Sequence, residues 1–320
     1  MSKPPWRPTI SVVVPTLNRW DDLLALCADL RAQTVQPHEL VVVDAGQVPD
    51  MEAAMRAALD GSGIALVYRR SAAGTSLQRN VALGLVQGEV LFFFDDDLLL
   101  APDFIERALE VFQMESTPPV GGVLATFDQP PRPRGWQQRW FKLFGMTRAT
   151  ATDDPADPPR MSRAGGVVWV GEPRGPVRVP VASGGRTAFL RAAIGDERFD
   201  EFLPGYTLNE DVEFSFRIAK KWAIVQSPAV RCYHKRSDEG RIDYGDRLSR
   251  LVYANFYFFR KHRPKDLPHL AAFAWNNLGI AAFYVGVGTL RAPAGQRRRV
   301  LKGLREGYAR VWADVRPRRA

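Results

Sequence analysis

The chain has 320 residues, 46% of them hydrophobic and 25% charged, which places it in the ordinary globular range with length for one large α/β domain plus an appendage or for two modest domains. Only two cysteines occur, Cys27 and Cys232, in no metal-ligand spacing; this excludes a disulfide framework and points to a reducing compartment. The net charge of +9 is concentrated: residues 291–319 hold ten Arg and Lys against Glu306 and Asp314, a local balance of +8, so the remainder is near neutral and lacks a basic groove for nucleic acid.

Residues 1–9 carry prolines and charge with no apolar run behind them, so no signal peptide or N-terminal anchor is expected. Residues 10–14 are an apolar, β-branched run and are predicted to form the first strand. A helix follows over 21–30, with Leu23, Leu24, Cys27 and Leu30 on one face. Further strands are predicted at 40–43, 64–68 and 90–94, alternating with helices at 51–59 and 76–86. Strands that are apolar throughout mark a sheet covered on both faces, and the βαβα order implies mostly parallel pairing with right-handed crossovers.

From residue 128 to 180 the composition changes, and nine prolines rule out a regular continuation of the sheet. One helix is expected there, where Trp136, Trp140, Phe141 and Phe144 recur at helical spacing beside Arg139 and Lys142. A helix packed on the core is the plainer reading. A lid or membrane-touching helix is the sharper one, since Trp and Phe opposite basic residues suit an interface. Order resumes at 165–170 and over 183–234, and a last region runs from 243 to the end.

In an open α/β sheet, ligands bind beyond the carboxyl ends of the strands. Here the first strand ends in Pro15-Thr16-Leu17-Asn18, the second at Asp44 followed by Ala45-Gly46, and the fourth in Asp95-Asp96-Asp97. Three successive carboxylates closing a buried strand would repel one another without a counter-ion. Hard oxygen ligands suit Mg2+ or Mn2+, which would also bind a diphosphate. In isolation the acidic triplet reads as a solvated turn capping the helix near Pro102; the unbroken apolar strand before it and the partner Asp44 favour the metal. Neither a P-loop nor a dinucleotide fingerprint is supported, because Gly61-Ser62-Gly63 precedes a strand rather than opening a helix. A diphosphate would be held by metal and basic side chains.

Taken in order, these pieces resemble the family 2 glycosyltransferases of the GT-A fold. The matching segments are 11–18 (SVVVPTLN), 41–44 (VVVD), 74–80 (GTSLQRN), 92–97 (FFFDDD), and Asn209-Glu210-Asp211 with Arg217 following; the likeness covers roughly residues 9–235. The resemblance implies a single Rossmann-like, mostly parallel sheet flanked by helices, and an inverting nucleotide-diphospho-sugar transferase. It implies that Asp44 binds the nucleoside, with Pro15, Thr16 and Asn18 beside it. Asp95 would face the ribose or the metal, Asp96 would line the nucleotide pocket, and Asp97 would coordinate the metal bridging the two phosphates. Arg79 would sit beside the nucleotide, a helix-surface salt bridge being an equal alternative.

The same resemblance makes Asp211 the general base, with Glu210 the second choice. His234 would approach the metal or the diphosphate, although a strand-end histidine is more often structural. Ser183-Gly184-Gly185-Arg186 is expected to form the acceptor-side turn, with Trp136 also assigned to the acceptor. Inversion needs one base to take the proton of the attacking hydroxyl and a counter-charge for the leaving diphosphate. Glu210 and Asp211 could instead merely stabilise the N-terminus of the helix containing Phe214 and Ile218. The chain departs from the family pattern in Asp44-Ala45-Gly46, which replaces Asp-x-Ser/Asp, and in the Pro-rich insertion.

Residues 270–290 carry no charge, and a bilayer span needs ~20 apolar residues. Basic flanks on both sides run against the positive-inside tendency and favour a helix that lies in the interface, re-enters or packs on the catalytic domain. In the final segment Val300, Leu301, Leu304, Tyr308, Val311 and Trp312 share a face flanked by Arg298, Arg299, Lys302, Arg305 and Arg310. That is an amphipathic basic helix suited to anionic lipid, or an ordinary surface helix with a solvated basic face.

The expected organisation is a nucleotide-sugar-binding half at 1–127, a Pro-rich insertion or lid at 128–182, an acceptor-binding half at 183–242, and a helical, basic, membrane-associating region at 243–320. The expected reaction moves a sugar from a UDP-, dTDP- or GDP-linked donor to a lipid-linked or glycan acceptor, with Mg2+ or Mn2+, on the cytoplasmic face of the membrane. One rival is a sugar nucleotidyltransferase, which would carry a Gly-rich basic loop after its first strand. The other is a non-catalytic nucleotide-sugar-binding or membrane-scaffold protein, which Asp211→Ala would leave functional.

Overall fold

The structure is a computed structural model that describes residues 6–128, 135–150, 157–202, 205, 207–235, 243–290 and 294–315. The first half runs β1 (Ile10–Thr16), α1 (Trp20–Arg31), β2 (Glu39–Asp44), α2 (Met51–Leu59), β3 (Ala65–Arg70), α3 (Thr75–Leu83), β4 (Val90–Phe94), β5 (Leu98–Leu100), α4 (Phe104–Phe112) and β6 (Val120–Phe127). Next come α5 (Gly135–Leu143), β7 (Arg148–Thr150), β8 (Arg160–Met161), β9 (Val167–Val170), β10 (Val177–Val179), β11 (Arg186–Leu190) and α6 (Arg191–Ile194). The chain continues through α7 (Glu210–Ile218), β12 (Ala223–His234), α8 (Tyr244–His262), α9 (Leu267–Leu290) and α10 (Ala294–Val315). It divides into two compact units, one of residues 1–130, 172–206 and 210–240, the other of residues 131–171, 207–209 and 241–320.

The first unit is built on one nine-stranded sheet in the order β10-β12-β6-β11-β4-β1-β2-β3, with β5 pairing β12. β4, β1, β2 and β3 are mutually parallel, as the alternating pattern requires. β11 then enters antiparallel between β4 and β6, and β12 returns parallel to β6. The predicted strands and helices of the first hundred residues are present, α2 and β4 with the expected ends and the others with ends displaced by at most three residues. The helix expected over 76–86 stops at Leu83 because Gly84 follows, and glycine is a poor helix former. Met51, Met55 and Leu59 of α2, and Leu23, Leu26, Cys27 and Leu30 of α1, are buried at helical spacing against the apolar faces of β1, β2 and β4. The sheet is thus mixed, mostly parallel and helix-flanked.

The second unit has a small sheet in the order β7-β9-β8 and a helical core of Phe144, Met146, Leu248, Val252, Ile280, Val300 and Leu304. Trp140 and Phe141 pack against that core, so α5 behaves as the plainer reading has it, a helix seated on apolar neighbours. Asn276, which interrupts the apolar run of α9, donates to Phe144 O at 3.1 Å and to Gly145 O at 3.0 Å. It thereby satisfies carbonyls orphaned at the end of α5. Among the described residues no helix is long and apolar enough to cross a membrane.

Candidate functional site

In the strand order β4-β1-β2-β3, connections run in opposite senses from the β1/β4 boundary, which makes that boundary a topological switch point. The ends of β1, β2 and β4 therefore open on one crevice, and the sequence places Thr16 to Arg19, Asp44 and the acidic triplet there.

Asp44 stands beside Thr16 in register and is buried. Its Oδ1 accepts from the Gly46 N–H at 2.6 Å, the Tyr68 hydroxyl donates to Oδ2, and Arg70 Nη1 lies 3.2 Å away. Burial and the hydrogen bond to Asp44 both push the Tyr68 hydroxyl pKa up. Asn18 takes a left-handed φ of 56°, which asparagine tolerates, and its Oδ1 accepts from the Gln47 N–H at 2.9 Å. A Cβ on Gly46 would lie 2.6 Å from Asn18 Oδ1 and 2.9 Å from Asp44 Oδ1. The departure from the family's Asp-x-Ser/Asp turn is thus a packing requirement: only glycine fits between Asn18 and Asp44.

The three carboxylates of the triplet separate. Asp96 turns toward β1, where the Thr16 hydroxyl donates to it at 2.7 Å and Arg19 Nη1 at 3.0 Å. Burial pushes its carboxyl up to about 7 despite Arg19 and Thr16. Asp97 lies 2.9 Å from Arg19 Nη1 and 2.9 Å from His234 Nε2. Burial opposes its ionisation, but His234 and Arg19 together hold it down at about 2. Asp95 faces the opposite wall, 3.5 Å from Arg79 Nη2, with its N–H donating to Gly185 O at 3.0 Å. A Cβ on Gly185 would lie 1.9 Å from Asp95 Oδ2, so the backbone of the turn lies directly against this carboxylate. This is no solvated acidic turn: Asp96 and Asp97 are buried and Asp95 half-buried.

Asp95, Asp97 and His234 each offer one ligand atom, and these atoms all lie within 4.8 Å of one another. Two carboxylate oxygens and one imidazole nitrogen are a donor set that could hold a divalent cation. His234 is fixed by the ring of Phe127, stacked at 5.6 Å with an interplanar angle of 14°.

Arg79 is no surface salt bridge. It is 2% exposed, its Nη1 lies 2.6 Å from Glu210 Oε1, and its guanidinium rests 5.4 Å from the Phe199 ring centroid. Burial pushes the Glu210 carboxyl up to about 8, with Asp211 adding to it and Arg79 pulling the other way. Asp211, on the next position of α7, stays partly exposed. The Gly184 N–H donates to its Oδ2 and the Val212 N–H to its Oδ1 at 2.7 Å. The turn at Ser183 to Arg186 therefore touches both Asp211 and Asp95. Trp136, grouped with that turn in the sequence reading, belongs to the second unit, where its ring lies 6.0 Å from Phe283.

Sequence reasoning missed Arg19, Tyr68, Arg70 and Phe127. A signal existed for Arg19 alone: a cation directly after Asn18, at the end of a strand adjacent to the one that carries the triplet.

Residues 11–163 match the family model described as Glycosyl transferase family 2. The chain thus carries a family 2 glycosyltransferase pattern over just under half of its length. No curated protein matches the chain. Among solved structures, the mannosyltransferase PcManGT from Pyrobaculum calidifontis, in complex with GDP-Man and Mn2+, superposes with a TM-score of 0.58 at 18% identity, covering 97% of this chain and 89% of that one. S. aureus TarS gives a TM-score of 0.56 at 16% identity over 95% of this chain but only 49% of its own, so the chain spans about half the length of that protein. TarS 1-349 gives 0.57 at 16% identity, over 93% and 80%. At these identities the likeness establishes the fold alone, a GT-A-like sheet. The family match covers β1 to β8 and so includes Asp44, Arg79 and the triplet.

Proposed function

We propose that this glycosyltransferase moves a sugar, with inversion, from a nucleoside diphosphate donor to a hydroxyl of a lipid-linked or polysaccharide acceptor. The observation that carries the reading is the convergence, within one unit, of the Asp95–Asp97–His234 donor set and the partly exposed Asp211 on the turn at Gly184. The donor is expected against Pro15, Thr16, Asn18 and Asp44, with Asp44 taking the nucleoside. A divalent cation, Mg2+ or Mn2+, held by Asp95, Asp97 and His234 would neutralise charge developing on the leaving diphosphate. The complex of PcManGT with GDP-Man and Mn2+ supports this choice of donor and cation class.

Asp211 is the general base of the proposal. Two backbone N–H groups fix its carboxylate, and its exposure lets a hydroxyl approach. Glu210 is the poorer base because Arg79 already engages it. Arg79 positions Glu210 and Asp95 together, keeping the donor-side and base-side walls at a set spacing. Gly184, Gly185 and Arg186 line the acceptor side.

Membrane contact belongs to the same proposal and rests on the second unit. Leu267, Trp275, Leu278 and Val285 of α9 and Leu301 and Trp312 of α10 are exposed, and α10 exposes Arg298, Arg299, Lys302 and Arg305 beside them. Apolar side chains flanked by arginines suit an anionic lipid surface.

The test is calorimetric titration of UDP, dTDP and GDP, each with Mn2+, Mg2+ or EDTA, into wild type and Asp97→Ala. Metal-dependent binding of one nucleotide, lost in the variant, supports the donor site and names its base; no binding by folded wild type under any condition overturns it. Co-sedimentation with phosphatidylglycerol and phosphatidylcholine vesicles tests the membrane contact, which requires binding to the anionic vesicles alone.

A further inference from the structure

Arg186 opens β11 directly after Gly185, the residue whose backbone lies against Asp95. Its guanidinium covers the Phe127 ring at 4.0 Å from the centroid, and Phe127 in turn stacks on His234. Arg186 therefore borders the Asp95–Asp97–His234 cluster twice, through the chain on one side and through Phe127 on the other. Nε donates to Ser183 Oγ at 3.3 Å and Nη1 to the Ala125 carbonyl. Both partners are neutral. Among the described residues no carboxylate lies within ion-pair distance of Arg186, and its Nη2 has no hydrogen-bond partner.

The other guanidiniums of this site contrast with it. Arg19 faces Asp96 and Asp97, and Arg79 faces Glu210 and Asp95. Arg186 is partly exposed, and a cation with no facing carboxylate is costly to desolvate even in part; burial lowers its pKa to about 10, with the charges of Asp211 and Asp95 only partly offsetting this. The group stays protonated at neutral pH with an unused donor. A planar fork of this kind is matched to phosphate oxygens, and a bound anion would supply the missing counter-charge.

We propose that Arg186 is an anion-binding residue of the active site, its free Nη2 taking a phosphate oxygen of a substrate drawn up to the Asp95–Asp97–His234 cluster. The phosphate has two sources, the diphosphate of the donor or a phosphate carried by the acceptor. The proposal rests on the glycosyltransferase reading of the site, and the experiment separates its failure from the failure of that reading.

Calorimetric titrations compare wild type, Arg186→Gln and Arg186→Lys, each checked by thermal melting. The first arm titrates UDP and GDP with Mg2+; the second titrates glycerol 3-phosphate, a phosphomonoester without a nucleoside, in the absence and presence of saturating nucleotide. A donor phosphate requires nucleotide affinity to fall at least tenfold in Arg186→Gln and to recover in part in Arg186→Lys. An acceptor phosphate requires nucleotide affinity to hold while glycerol 3-phosphate binding is lost. Unchanged binding in both arms overturns the proposal. So does equal weakening by both substitutions together with a lowered melting temperature, which marks a purely structural arginine. Failure of wild type to bind any nucleotide overturns the donor-site reading instead, and the phosphomonoester arm without nucleotide still tests Arg186.

Discussion

Arg79 Nη1 lies 2.6 Å from Glu210 Oε1, joining α3 to α7 across 131 positions of sequence with both side chains buried. The same guanidinium reaches Asp95 at 3.5 Å, so one cation ties the acidic end of β4 to the acidic start of α7. Removing one partner of a buried ion pair leaves an uncompensated charge and costs about 3–5 kcal/mol. Arg79→Met is therefore expected to lower stability by about that amount in urea denaturation. The double variant with Glu210→Leu should recover part of the loss, because it removes the stranded carboxylate as well. Wild-type stability in the single variant would contradict the clamp.

Gly185→Ala tests the wall of the site. The new methyl group would coincide with the Asp95 carboxylate, 1.9 Å from its Oδ2, and must displace it. Sugar transfer should fall by at least tenfold and Mn2+-dependent nucleotide affinity with it. Gly175→Ala, where a Cβ meets nothing within 4 Å, should leave both at wild-type level. Equal behaviour of the two variants would count against Asp95 as a donor-site group.

Asp96→Asn and Asp97→Asn should behave differently despite being neighbours. Asp96 is engaged by Thr16 and Arg19, whereas Asp97 belongs to the His234 donor set. Asp97→Asn is expected to reduce nucleotide affinity in Mn2+ to the level seen in EDTA. Asp96→Asn should retain a clear Mn2+ response and shift mainly the melting temperature. Loss of the response in Asp96→Asn alone would reverse the assignment.

The two thiols should be inert in the folded protein. Burial pushes Cys27 up to about 11 and Cys232 up to about 12, so the reactive thiolate is scarce at pH 8. Ellman's reagent is expected to detect no thiol in the native protein and both in guanidinium chloride. Rapid labelling of native protein at pH 8 would show that one of the two is reached by solvent.

Much of the fold was legible because local pattern and tertiary role agree in the first hundred residues. β1, β2 and β4 are apolar throughout, as strands covered on both faces must be, and α2 shows buried residues at every fourth position. The antiparallel entry of β11 was not legible, since nothing local in Arg186 to Leu190 records which strands flank it. The division of the acidic triplet was hidden for the same reason. Three adjacent aspartates look alike in sequence, and only their neighbours on β1, α3 and β12 separate them.

The sequence by itself determined the alternation of strands and helices, the acids at the strand ends and the likeness to family 2 glycosyltransferases, because periodicity and residue type are local properties. Tertiary structure alone decided that Arg79 is buried, that Gly46 and Gly185 face carboxylates, that Asn276 caps another helix and that Arg186 has no counter-ion among the described residues. Each of these depends on which distant groups share a low-dielectric space with the residue. Charge compensation and steric fit are set by that neighbourhood, and it exists only once the sheet has assembled.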